Sequence, residues 1–371
     1  MAAKMPHHPI KGLMNATPPQ VPMVNNLTLV RLVLASAVIW SHSIWRITGA
    51  DTNDPTVWLM GEPVSSFAVD GFFFLSGFLV YNSLLRRGSA WDFLLARLAR
   101  LWPGLAVAVL VMVTAGFFIA GLPLSEYLSG DTARFIASNL SLVKGHYTLS
   151  GIGTESAPIT INGSLWTIPW EMRCYLVLFL AALLRLSGRE RVVALLLVPT
   201  LLFAIVAHLP AFQALAGGDP SRGALYNLML FDRLWSMFAL GIAALIFWPW
   251  LHRRLSWRVA LLALVALALS VHFFPIPHLA GLVTGYCVLC AGFRTGTAAA
   301  RWPDYSYGMY IYAFPVMMAI AAVAPSHSAP LLALLTAVGT VPLAALSWHF
   351  VEHPVLRHVR ERRRARKEAR A

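Results

Sequence analysis

This chain has little charge: Asp, Glu, Lys and Arg make up 12% of its 371 residues, and Asp plus Glu number 16. An ordinary soluble domain carries about 25% charged residues. With 58% hydrophobic content, a soluble globular chain is therefore excluded. Cysteine is scarce too. Cys174, Cys287 and Cys290 all fall in apolar runs, which excludes a disulfide-stapled scaffold. Cys287-Val-Leu-Cys290 has the spacing of a redox or metal motif, but no further ligand stands near it. Small buried thiols are expected, with no disulfide and no metal. The first 26 residues lack the short apolar core and small-residue cleavage site of a signal peptide. The first apolar run is thus expected to stay as an uncleaved anchor.

Apolar sequence is abundant. Ten runs long enough, or nearly so, to cross a bilayer lie at 27–47, 67–85, 101–120, 165–184, 192–208, 225–247, 256–274, 279–293, 305–323 and 331–351, the eighth being the weakest. Most of the 29 Lys and Arg residues fall in alternate connections and in the tail, leaving Arg46, Arg134, Lys144 and Arg222 on the other side. That bias orients the chain with both termini cytoplasmic. The expected fold is an all-α integral membrane protein of about ten transmembrane helices. It comprises a cytoplasmic segment 1–26, a membrane domain 27–353 and a basic tail 354–371. A longer outer connection, 121–163, is rich in Gly, Ser and Thr and is expected to re-enter or cap a cavity.

The net charge of +13 invites a nucleic-acid reading. The basic residues interrupt apolar runs instead of forming a stripe with aromatic platforms, so no nucleic-acid partner is expected. The tail from Arg357 to Arg370 suits anionic lipid headgroups and equally serves to lock topology.

The first run holds two ionisable residues, Arg31 and His42. Eleven positions on a helix make three turns plus about 20°, so both lie on one face, about 16 Å apart. Ionisable groups at membrane depth are functional candidates by default. His42 falls in the outer half of its run, and Asp70, near the start of the next run, falls close to the same depth. A carboxylate beside an imidazole fixes its tautomer and stabilises the imidazolium, as a general base requires. Alone, Asp70 would read as a helix-start residue at the interface. Glu171, a few residues into the fourth run, also counts to the outer half and should point inward, toward Arg173, Tyr175 or the polar loop. A structural ion pair explains it as well as a catalytic role. Asp232 and Arg233 are adjacent and so cannot readily pair with each other; packing and acceptor contact are both open to them. Tyr305, Tyr307, Tyr310 and Tyr312 fit an aromatic belt first and a sugar-stacking platform second.

Arg31 is about four residues from the inner end of its run, where its guanidinium can face the cytoplasm. Arg97 and Arg100 are one turn apart, sharing a helix face, and Arg suits a bidentate grip on phosphate. Topology alone would also put arginines there. Together the three point to a phosphate-bearing cytosolic ligand meeting its chemistry from the opposite side.

Several segments in order resemble acyltransferase family 3, the bacterial integral-membrane O-acyltransferases. They are the Arg31-to-His42 spacing, Val69-Asp-Gly-Phe-Phe-Phe-Leu-Ser-Gly-Phe-Leu79, Arg97-Leu-Ala-Arg100-Leu-Trp-Pro103, Asn162-Gly-Ser-Leu-Trp-Thr-Ile-Pro-Trp-Glu171, Tyr305-Ser-Tyr-Gly-Met-Tyr-Ile-Tyr-Ala-Phe-Pro315 and Phe350-Val-Glu-His-Pro354. The resemblance implies a multi-pass protein of the bacterial inner membrane that moves an acyl group, typically acetyl, from cytosolic acyl-CoA to a hydroxyl. The acceptor it implies is a cell-envelope carbohydrate or lipid-linked sugar. It implies that His42 and Arg31 are essential, that Arg97 and Arg100 help hold acyl-CoA, and that Asp70 and Glu171 occupy further motif positions. Direct transfer and a covalent acyl-histidine both stay open. From the residues alone, Arg31, His42 and Glu171 would also suit a proton-coupled transporter or flippase of an anionic or sugar-linked solute.

Overall fold

A computed structural model gives the architecture and describes residues 21–22, 25–87, 89–154, 157–184, 186, 224–273, 279–296, 301–324 and 328–369. Its principal helices are α1 (Leu27–Thr48), α2 (Val64–Arg87), α3 (Ala90–Ala120), α4 (Gly130–Ser141), α5 (Ile168–Leu183), α6 (Ala224–Ile246), α7 (Trp257–Phe273), α8 (Leu279–Arg294), α9 (Ser306–Val323), α10 (Ala329–Ser347) and α11 (His353–Glu368). Two short antiparallel strands, Gly153–Thr154 and Ala157–Pro158, are the sheet structure among the described residues.

By length and hydropathy, five described helices can cross a membrane: α1, α2, α3, α9 and the continuous helix Ala329–Arg366. A sixth joins them if Leu230–Ile246 and Trp248–Arg254, bent by 74°, form one span. Helices α7 and α8 are apolar but shorter. The protein is thus an all-α membrane protein. The expected span at 192–208 lies outside the described residues.

Helix α3 begins eleven residues before the apolar run that announces it, because Ser89 caps its start by accepting from the backbone N–H of Asp92 at 3.3 Å. Its 31 residues make about 46 Å, and the early start takes Arg97 and Arg100 into the helix. The chain then turns back. Tyr127 donates to the carbonyl of Val113 (2.7 Å) and Trp102 donates to that of Leu140 (3.2 Å), so the 121–163 segment folds along about 16 Å of α3. At the other end, α10 passes through one π-helical turn, Trp348–Glu352, into α11. The basic tail is therefore a helix, and it packs on α3.

Helix α2 is central, touching α1, α3, α5, α6 and α8. Its closest neighbour is α6, and the approach depends on two glycines. A Cβ on Gly77 would sit 1.9 Å from the carbonyl oxygen of Phe238, and one on Gly241 would sit 2.0 Å from that of Phe74. Backbones meet this closely in membrane bundles when small residues line the crossing. Gly77→Ala must push the helices apart, and overpacking of this kind costs about 1–3 kcal/mol or more. The variant should melt several degrees lower in detergent; an unchanged melting temperature would mean that the crossing is loose.

One carboxylate closes the end of the bundle near His42. Asp54, 1% exposed, accepts from Ser41 Oγ (2.7 Å), the backbone N–H and hydroxyl of Thr56 (3.0 and 2.8 Å) and the backbone N–H of Val64 (3.2 Å). Burial pushes this carboxyl up, yet the hydrogen bonds outweigh it and hold it below the usual carboxylate range. Asp54 thereby ties α1, at the residue next to His42, to the start of α2.

Candidate active site

Two cavities lie end to end inside the bundle. The larger, about 140 Å³, is lined by polar groups from five helices, notably Arg31, Ser76, Arg97, Arg100, Glu171, Tyr175 and Tyr307. The smaller, about 80 Å³, is lined by His42, Ser65, Ser66, Trp166 and Arg233. Val69 and Tyr310 line both and so form the wall between them. Tyr310 is held there by Thr167, whose hydroxyl lies 2.8 Å from its own, and by an edge-on contact with Phe72. Arg31 and His42 thus both face inward from α1, as one helix face requires.

The arginines differ sharply in what they do. Arg100 is saturated: one nitrogen meets Asp304 at 2.8 Å, another meets Glu352 at 3.0 Å, and the guanidinium lies over Tyr307 and Trp348. Arg31 shares the same Asp304 oxygen at 3.1 Å. Ser306 and Ser347 donate to the free oxygens of Asp304 and Glu352 at 2.6 and 2.9 Å. Arg97 meets no carboxylate within ion-pair distance among the described residues. Among the described residues, its Nε and that of Arg31 are buried without a hydrogen-bond partner, and its guanidinium lies 6.0 Å from the Tyr175 ring. So Arg97 and Arg100 are not the matched pair their spacing implies. Positions three apart differ by about 60° around the helix, enough to turn Arg100 to α9 and α10 while Arg97 faces the cavity.

Glu171 points inward and meets Tyr175, one of its expected partners. It lies in the arginine-lined cavity, accepting from Ser76 Oγ (3.1 Å) and from Tyr175 in a short contact. Its i+4 neighbour and the polar notch on α2 draw it there. Arg173 points elsewhere, stacked on Trp170 at 3.9 Å and donating to the carbonyl of Val143.

Asp70 does not hold the imidazole. Arg233 takes it in a two-pronged pair, Nε to Oδ1 and Nη2 to Oδ2, both 3.1 Å. A guanidinium offers a permanent charge and two parallel donors, which a single imidazole N–H cannot match. The His42 ring instead meets the edge of Phe314, with centroids 5.3 Å apart, and no hydrogen bond reaches it among the described residues. Arg233 lines the same small cavity as His42.

The tyrosines are not an interfacial belt. Tyr307 is buried and donates to the carbonyl of Leu101 (2.7 Å), Tyr312 is buried, and Tyr305 lies 3.0 Å from a His349 nitrogen. Tyr307 and Tyr310 find their partners inside the bundle, while Tyr305 meets an exposed histidine. Asp304, Glu352 and Asp54 are supporting residues to which run-by-run reading assigns no role. Their signal was present: in a chain with 16 carboxylates, any that borders an apolar run has to be neutralised somewhere.

Comparison with known proteins gives this geometry its chemistry. The acyltransferase domain family matches residues 24–349. Nodulation protein 10 of Rhizobium leguminosarum bv. viciae is 31% identical over 361 residues, covering 90% of this chain and 93% of that one. An O-acetyl transferase of Shigella phage Sf6 is 27% identical over 339 residues, covering 88% of this chain and 95% of that one. No solved structure matches. Every polar residue lining the two cavities falls within the matched span, and the chain belongs to the acyltransferase domain family as an O-acyltransferase.

Proposed function

We propose that the chain transfers an acyl group, in the first instance acetyl, from cytosolic acyl-CoA to a hydroxyl of a cell-envelope carbohydrate or lipid-linked sugar, from a place in the bacterial inner membrane. One observation carries this reading: an imidazole that no hydrogen bond reaches among the described residues lines a cavity that abuts, across Val69 and Tyr310, a second cavity lined by arginines. The acceptor hydroxyl attacks the thioester carbon and gives its proton to His42. The tetrahedral intermediate then expels the CoA thiolate, which takes that proton back. The donor's thioester end enters through the arginine cavity. Sites for drug-sized ligands measure about 300–1,000 Å³, so a cavity of about 140 Å³ suits the slender acyl-thioester arm, leaving the nucleotide outside. Arg97, with no carboxylate partner among the described residues, and Arg31 are the cations that meet donor phosphate. Arg100, already held by two carboxylates, shapes the cavity and positions them. Asp70 acts on the acceptor side through Arg233, and Glu171 orders Tyr175 and Ser76 beside the thioester's path.

Purified protein given labelled acetyl-CoA and glycans from the envelope should yield labelled ester in the glycan fraction. Absence of label in any hydroxyl acceptor, with the purified protein instead moving an anionic or sugar-linked solute across vesicles, would replace this reading by transport. Label that stays on the protein when acceptor is omitted would place an acyl-histidine on the route.

A further inference from the structure

The largest of the grooves around α3 is not part of the proposed active site. It measures about 640 Å³ and runs between α3 and the basic helix α11, with the chain at Leu140–Leu142 as its end wall. The α3 side is apolar: Leu95, Leu98, Ala99 and Trp102. Trp102 remains 46% exposed and Leu95 50%. The opposite side is cationic: Arg362, Arg363 and Arg366 from α11, joined by Arg87 from the end of α2. Asp92 is the one carboxylate in the lining, and among the described residues none of these four arginines lies within ion-pair distance of an acid. Arg363 donates to the carbonyl of Arg86 at 3.0 Å, which docks α11 onto the bundle, while its Nε is buried without a partner among the described residues.

Such a groove asks for an anion with an apolar body. Acyl-CoA meets that description, but helix geometry sends it elsewhere. At 100° per residue, Arg97, Arg100 and Leu101 face the central cavity, and the Leu95, Leu98, Ala99 and Trp102 face is rotated from them by roughly 150°. A donor gripped by Arg97 cannot also lie in a groove on the far side of α3. Exposed Trp and Leu beside arginines at the end of a membrane helix match the headgroup level of a bilayer instead.

We propose that this groove is a binding site for one anionic glycerophospholipid. Its phosphate meets Arg362, Arg363 and Arg366, and one acyl chain lies along Leu95, Leu98 and Trp102. The inference rests on the proposed donor site at Arg97 where it sets acyl-CoA aside, and on the groove's own lining otherwise.

Native mass spectrometry of the full chain in detergent tests it, with dioleoyl phosphatidylglycerol and dioleoyl phosphatidylcholine as probes. The wild type should retain one phosphatidylglycerol in preference to phosphatidylcholine. The variant Arg362→Gln, Arg363→Gln, Arg366→Gln should lose that retention by on the order of 100-fold, taking the electrostatic contribution of each arginine near a membrane surface. Phosphatidylglycerol with brominated chains should quench part of the tryptophan fluorescence, and Trp102→Phe should remove that part. The quenching test uses a single exposed-site change and stands even if the triple variant does not fold. Equal retention of the two lipids, quenching unaltered by Trp102→Phe, or displacement of the lipid by acetyl-CoA would each overturn the proposal, the last by giving the groove to the donor. Displacement by inorganic phosphate alone would reduce it to a site for a free anion and overturn it equally.

Discussion

Replacing His42 with alanine is expected to lower acyl transfer by about 10²- to 10⁴-fold, the range that a general base contributes, while the chain still inserts and folds. The ring makes an edge contact with Phe314, and no hydrogen bond reaches it among the described residues. Removing it therefore strands no buried polar group, which is the usual source of large destabilisation. Loss of rate should appear without loss of melting temperature. Single-turnover transfer from labelled acetyl-CoA, read beside a thermal melt of the same preparation, separates the two. A variant that transfers at the normal rate would remove His42 from the reaction. One that melts far below the wild type would make it a packing residue.

The second large effect divides two arginines that share a motif. Arg100→Ala leaves Glu352, 1% exposed, without its guanidinium and leaves Asp304 with Arg31 as its remaining cation. Breaking a buried pair from one side costs about 3–5 kcal/mol, so this variant should fold poorly. Arg97→Ala breaks no ion pair among the described residues. It should keep its melting temperature and lose affinity for acetyl-CoA, measured by calorimetry or by the donor concentration at half-maximal rate. Equal thermal losses in the two would mean that both are structural.

The same cluster predicts a pH response. Burial pushes the Asp304 carboxyl up, but the Arg31 and Arg100 guanidiniums outweigh it and hold it down to about 2. A depressed folded-state pKa stabilises the fold above the ordinary carboxylate range and loses that contribution as pH falls toward about 2. Asp304 should therefore leave stability flat between about pH 8 and 5, with the decline beginning below about 4. A stability drop near pH 6 that disappears in Asp304→Asn would show that the carboxyl is not held down.

Much of the fold was legible before any coordinates. Arg31 and His42 face inward from one helix, as a period of 3.6 residues demands, and the long apolar runs became helices wherever the structure describes them. Boundaries were less legible, because a capping serine and helix-tolerant arginines extend α3 beyond its apolar run. The partners of the charged residues are the least legible. Depth assigns Asp70 to His42, whereas packing gives it to Arg233; Glu171 meets Tyr175, a partner its position predicts, together with Ser76.

Run length, scarcity of charge and the side on which arginines fall are properties of the chain read in one dimension, and they suffice for the all-α membrane class and for which residues must turn inward. Pairing is not such a property. Asp70 meets Arg233 across 163 positions and Arg100 meets Glu352 across 252, so each match depends on which helices lie side by side. A helical period sets the direction of a side chain and leaves its neighbour open. The neighbour is chosen by close helix crossings such as the one at Gly77 and Gly241, because buried charges take whichever opposite charge the packing brings within reach.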